Sequence, residues 1–194
     1  MSTADLSTTA AAGSVTAETL LRDYGEQSCE LIEGKLRMMS PAGFGHGAIA
    51  QRVATALAQH AEPQGLGIVA GAETGFLIGS DPDTVLAPDV AFVKQARLEA
   101  VGVTNKYFPE APALAVEIVS PNDTAEQVDD KTRRWLAAGC EMVWVVYPKG
   151  RSVTVYRSLE DVRIVTGDTP LEGADVVTGF AHPVSELFAG LDPR

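Results

Sequence analysis

Glu117 interrupts the run Ala113-Leu114-Ala115-Val116-Glu117-Ile118-Val119, which is otherwise apolar enough to be a strand covered on both faces. Burying an unpaired carboxylate costs several kcal/mol, so something must compensate: a cation, a donor network, or a place at the strand's open end. Asp89 poses the same problem, following Pro88 inside Val85-Leu86-Ala87-Pro88-Asp89-Val90-Ala91-Phe92-Val93. Two carboxylates on two apolar strands are a donor set for a hard divalent ion such as Mg²⁺, which takes oxygen ligands and keeps several waters. Lys131 lies fourteen positions beyond Glu117, about two turns into the helix that should follow that strand, and can reach back over the sheet. Asp89 and Lys131 taken singly also fit a strand end and a solvated helix residue; the combination is more specific than its parts.

The elements that must position these groups can be read along the chain. Residues 1–16, rich in Ser, Thr and Ala, are expected to form a disordered arm, leaving one domain over 17–194. Thr16 caps a short helix running to Gly25, and residues 29–39 form a hairpin about Glu33-Gly34. Ile49, Val53 and Leu57 recur at helical spacing from His46 to Glu62, where Pro63 ends the element. Strands are predicted over 68–70, 75–78 and 85–93, the last with an edge or bulge at Pro88. The stretch 94–112 is a loop with one helical turn, and 113–119 is the Glu117 strand. A helix from about 124 to 138, strands over 142–147, 152–157 and 162–166, and a short helix over 183–190 complete the chain. The fold class is α/β, with a mixed sheet and an N-terminal hairpin.

Composition removes several alternatives. With 45% hydrophobic residues and two cysteines, the chain is an ordinary core-forming domain, neither a disulfide scaffold nor a four-cysteine zinc site. No apolar run approaches the ~20 residues that span a bilayer, so a cytoplasmic location without membrane contact is expected. His46, His60 and His182 make no zinc motif, and Ser120 lacks the glycine-flanked elbow of a serine nucleophile. Trp135 and Trp144 are expected to pack in the core. The net charge of −11 opposes phosphate binding. Residues 131–157, however, carry Lys131, Arg133, Arg134, Lys149, Arg151 and Arg157 against the single acid Glu141, a local basic face.

Pro88-Asp89 followed by Glu117-Ile118-Val119 resembles the PD-(D/E)XK nuclease superfamily. The likeness is closer to the Uma-type family of restriction-endonuclease-like proteins and covers roughly residues 25–160. It is carried by Cys29–Leu36, Met39–Gly43, His46, Ala87–Ala91, Val116–Asp123, Lys131 and residues 135–148. The lysine expected two residues after the acid is Val119 here, so the resemblance implies a catalytic lysine migrated to Lys131. It further implies a restriction-endonuclease-like fold and metal-assisted hydrolysis of a phosphodiester. Asp89, Glu117 and the Ile118 carbonyl would hold Mg²⁺, with Mn²⁺ as a substitute. Lys131 would act on the attacking water, and Glu30 would add a ligand or orient one. His46, Ser120 and Arg134 are candidate substrate contacts.

The implied partner is nucleic acid, with DNA favoured, and a homodimer is expected from edge strands at 142–147 and 152–157. The alternatives are a non-catalytic descendant binding nucleic acid or protein, and a plain dimeric structural protein.

Overall fold

The structure is a computed structural model describing residues 14–25 and 27–191. The elements are α1 (Ala17–Tyr24), β1 (Cys29–Ile32), β2 (Lys35–Met38), α2 (Phe44–Ala61), β3 (Gly67–Gly71), β4 (Phe76–Gly79), β5 (Thr84–Leu86) and β6 (Val90–Lys94). They continue with α3 (Gln95–Val101), β7 (Leu114–Ile118), α4 (Ala125–Ala137), β8 (Met142–Tyr147), β9 (Ser152–Tyr156), β10 (Val162–Thr166), β11 (Pro170–Glu172), β12 (Ala181–Pro183) and α5 (Val184–Leu187). A six-stranded sheet runs β10-β9-β8-β7-β6-β3, a four-stranded sheet runs β2-β1-β5-β4, and β11 pairs with β12. Within the large sheet only β7 and β8 are parallel, and α4 makes the crossover between them.

Alternation along β7 sorts its side chains between two cores. Leu114, Val116 and Ile118 face the layer of α2, where Ile49, Val53 and Leu57 meet Trp144, Val146 and the C-terminal Phe180 and Leu187. Ala115 faces the opposite layer with Val143, Val145, Phe76, Leu86 and Trp135. Glu117 shares that second face by strand periodicity, which turns it towards α4.

The first hairpin forms as the sequence indicates, with β1 and β2 antiparallel about Glu33-Gly34. Both turn residues have positive φ, 50° and 75°, the backbone of a tight hairpin turn that glycine favours at its second position. The predicted arm over 1–16 lies, up to residue 13, outside the described residues. Beyond it, Val15 N donates to Gly34 O at 3.0 Å and Ala17 N donates to Asp83 Oδ2 at 2.7 Å, fastening the chain to the hairpin and the β5 approach.

Three expectations are corrected. The stretch 85–93 is two strands in different sheets, β5 and β6, because Pro88 cannot donate to a ladder and the chain changes sheet there. Residues 142–147 and 152–157 are interior strands β8 and β9, so they provide no edge for a homodimer. The edge strands of the large sheet are β10 and β3, with Ile164 72% exposed on the first and Ile68 44% exposed on the second. The terminal helix, Val184–Leu187, is shorter than 183–190, and the three-residue strands β11 and β12 are too short to show a periodicity in the sequence.

Candidate active site

Asp89 sits at the break that Pro88 creates, one residue before β6. Its backbone N donates to Val116 O at 3.0 Å, which anchors the break against β7. Both carboxylate oxygens are held: Oδ2 accepts from Ile118 N at 2.7 Å, and Oδ1 accepts from His46 Nε2 at 2.8 Å. His46 lies in the first turn of α2, and its Nδ1 is 3.1 Å from Ser120 Oγ at the end of β7. Ser120 N in turn donates to Asp123 Oδ2 at 2.7 Å, closing the loop into α4. A chain Asp89–His46–Ser120 therefore links three elements at one end of the sheet.

Beside it lies a buried charge cluster. The capping box of Thr124 and Gln127 starts α4 cleanly and sets its register. That register aims Lys131 and Trp135, four residues apart on one helix face, at β7. Lys131 Nζ is 2.9 Å from Glu30 Oε1, 2.9 Å from Glu117 Oε2 and 3.1 Å from Ala87 O, so its three N–H groups have three acceptors. Glu30, 1% exposed, also accepts from Ala87 N at 3.1 Å, tying the hairpin to the segment before Asp89. The other oxygen of Glu117 accepts from Trp135 Nε1 at 2.7 Å. The strand-embedded carboxylate is thus compensated by a cation and a donor together, two of the three ways its burial could be met.

The electrostatics follow from burial and crowding. Burial pushes the Glu117 carboxyl up to about 7; Lys131 opposes the rise, and the charges of Asp89 and Glu30 reinforce it. Burial alone would depress the Lys131 ammonium, but the carboxylates of Glu117 and Glu30 outweigh it and hold Lys131 above its ordinary value. The hydrogen bond to Asp89 raises His46 above its ordinary value, against an opposing effect of burial.

A carboxyl raised by folding favours the native state below its unfolded pKa, and that advantage is lost as the pH climbs through the folded value. The metal-free protein is therefore expected to lose stability from about pH 4.5 upward, through about pH 7, as Glu117 ionises. Glu117→Gln should flatten that slope in urea denaturation series run at stepped pH. An equal slope in both proteins would contradict the assignment.

The residues fit a divalent ion of one kind. Among the described residues, no group of three or more His, Cys, Asp and Glu side chains converges so as to hold a metal. The candidate donors are the two carboxylates Asp89 and Glu117, with 21% and 13% side-chain exposure; a cation would share oxygens that already accept from Ile118 N, His46, Lys131 and Trp135. Two carboxylates supplemented by water and backbone suit Mg²⁺. Ile118 joins the cluster through its amide, which braces Asp89.

The structure gathers Glu30, His46, Asp89, Glu117, Ile118, Ser120 and Lys131 at one place. It does not bring Arg134 there: that guanidinium is taken up by Asp130 at 2.8 Å and Glu33 at 3.0 Å, bracing α4 against the hairpin turn. Trp135 is the site residue that sequence reasoning assigned to the core alone. Its buried ring does pack there, but the spacing of four from Lys131 was the signal that its N–H would face the same carboxylate.

Comparison with known proteins adds two findings. A solved structure described as a putative nuclease belonging to DUF820, from Anabaena variabilis ATCC 29413, is similar with a TM-score of 0.76 and 22% identity. The match covers 90% of this chain and 97% of that one, so the restriction-endonuclease-like fold is shared. No curated protein matches the chain. The family model Uma2, described as "Putative restriction endonuclease", matches residues 17–185, and the chain belongs to that family.

Proposed function

We propose that the protein is a Mg²⁺-dependent endonuclease that hydrolyses phosphodiester bonds of nucleic acid, with DNA as its substrate. The observation that carries this reading is the convergence of Asp89, Glu117 and Lys131 from three separate elements, with Lys131 2.9 Å from Glu117. Asp89 and Glu117, with the Ile118 carbonyl, would hold Mg²⁺ or Mn²⁺, which supplies Lewis acidity for the phosphoryl group and for an attacking water.

The chain's own groups do the rest. Ile118 N and His46 fix the Asp89 carboxylate in one orientation, which preorganises it before substrate arrives. Lys131 places a permanent positive charge beside Glu117, suited to offset charge that develops on the phosphoryl oxygens. Glu30 also holds that ammonium, at 2.9 Å. Ser120, partly exposed and hydrogen-bonded to His46, presents a hydroxyl at the rim that can donate to a phosphate oxygen. Arg134 can reach a phosphate only by leaving Glu33 and Asp130.

The net charge of −11 favours one second reading, a nuclease-fold protein that binds a partner without cleaving it. Incubation with supercoiled plasmid, single-stranded DNA and RNA, each with Mg²⁺ or Mn²⁺, separates the two. Metal-dependent nicking of plasmid supports the proposal as stated. Cleavage confined to RNA corrects the substrate, and retention of any of them on a gel without cleavage favours the second reading.

A further inference from the structure

Glu117 is gripped at both oxygens from a single helix face. Lys131 takes Oε2 at 2.9 Å, and Trp135, one turn later, takes Oε1 at 2.7 Å through its indole N–H. The cation alone would leave the carboxylate free to turn about its last bond, because an ammonium is a point charge that accepts many approach angles. The indole donor points along one direction and removes that freedom. Its own orientation is fixed by packing: Trp135 is 0% exposed and meets Phe76 edge-on, with ring centroids 6.1 Å apart and planes at 80°. Asp89 is braced in the corresponding way by Ile118 N and His46. A buried indole N–H needs some partner, and here that partner is the carboxylate that also faces Lys131, so one bond serves the tryptophan and orients the acid.

We infer that Trp135 is a positioning residue for the metal centre: its N–H fixes the Glu117 carboxylate in the orientation that a divalent cation needs. This rests on the reading of Asp89 and Glu117 as cation ligands. Groups that orient a ligand in this way typically change metal affinity by about 10–100-fold when removed. Because the indole ring touches the ligand itself, cation entry should also change the environment of Trp135. Trp144, the second tryptophan, lies in the other core with its Nε1 on Met142 Sδ at 2.9 Å, and should not respond.

The test compares Trp135→Phe with Trp135→Tyr. Both leave a similar space where the larger ring stood, and only the tyrosine retains a donor, so their stabilities should fall together while their cation affinities differ. Mn²⁺ binding is read by electron paramagnetic resonance of the free ion, beside urea unfolding and tryptophan fluorescence. The expected result is binding at least about tenfold weaker in Trp135→Phe than in the native protein. Binding in Trp135→Tyr should be intermediate, and a Mn²⁺-dependent fluorescence change should be seen in the native protein and lost from both variants. Equal Mn²⁺ affinity in the native protein and Trp135→Phe would overturn the inference and leave the metal site standing. Absence of Mn²⁺ binding by the native protein would overturn the metal site itself, and this inference with it.

Discussion

Lys131→Met is expected to destabilise the protein by about 3–5 kcal/mol and to abolish cleavage, the largest effect of any single substitution at the site. Methionine keeps most of the side-chain volume and removes the charge, so packing is not the cause. What remains is Glu30, 1% exposed, and Glu117, both facing a position that no longer holds a cation. A cost of that size is a large share of the 5–15 kcal/mol that holds an ordinary domain together. Adding Glu30→Gln should recover part of the loss, because it removes one of the stranded carboxylates. Urea midpoints of the two single variants and the double variant measure this directly: the double should be more stable than the sum of the singles predicts. Additive losses would mean that Lys131 and Glu30 do not form the buried pair.

Asp89→Asn is expected to reduce divalent-cation affinity by more than about 100-fold while leaving the fold in place. The amide is nearly isosteric, but it carries one acceptor where the carboxylate has two. Its oxygen can still accept from Ile118 N, and its NH₂ can face His46 Nε2 when the ring proton sits on Nδ1 towards Ser120, so the hydrogen bonds can be kept. What is lost is the charge and one of the two anionic oxygens. At a cation concentration 100 times the dissociation constant, the native protein should gain about 2.7 kcal/mol from binding, and Asp89→Asn almost none. Melting curves with and without Mg²⁺ show the difference. A shift of equal size in both proteins would place the cation elsewhere.

Much of this site was legible because its residues contradict their surroundings. Glu117 within an apolar strand, and Asp89 behind a proline, had to be compensated, and Lys131 stood at a helix position able to do it. The hairpin and α2 were readable from turn chemistry and helical spacing, and β7 and β8 from their continuous apolar runs. Three features were not legible, for physical reasons. Pro88 indicates that a ladder must break, but not that the chain then enters another sheet. Whether a strand is an edge depends on neighbours far along the chain: β8 and β9 are interior because β7 and β10 flank them. Trp135 meets the requirements of a core residue and of a hydrogen-bond donor at once, so its burial concealed its second role. Arg134 shows the converse: a basic residue near the site whose partners, Glu33 and Asp130, are settled by the packing of α4 on the hairpin.

The most direct test of the metal-nuclease assignment is plasmid nicking by protein stripped with EDTA and then resupplied with Mg²⁺ or Mn²⁺. Native protein is run beside Asp89→Asn and Lys131→Met at equal folded concentration. Nicking that appears only with the added ion, and only in the native protein, is the predicted result. Nicking that persists with EDTA, or that both variants retain at the native rate, would contradict the assignment of Asp89, Glu117 and Lys131 as the catalytic centre.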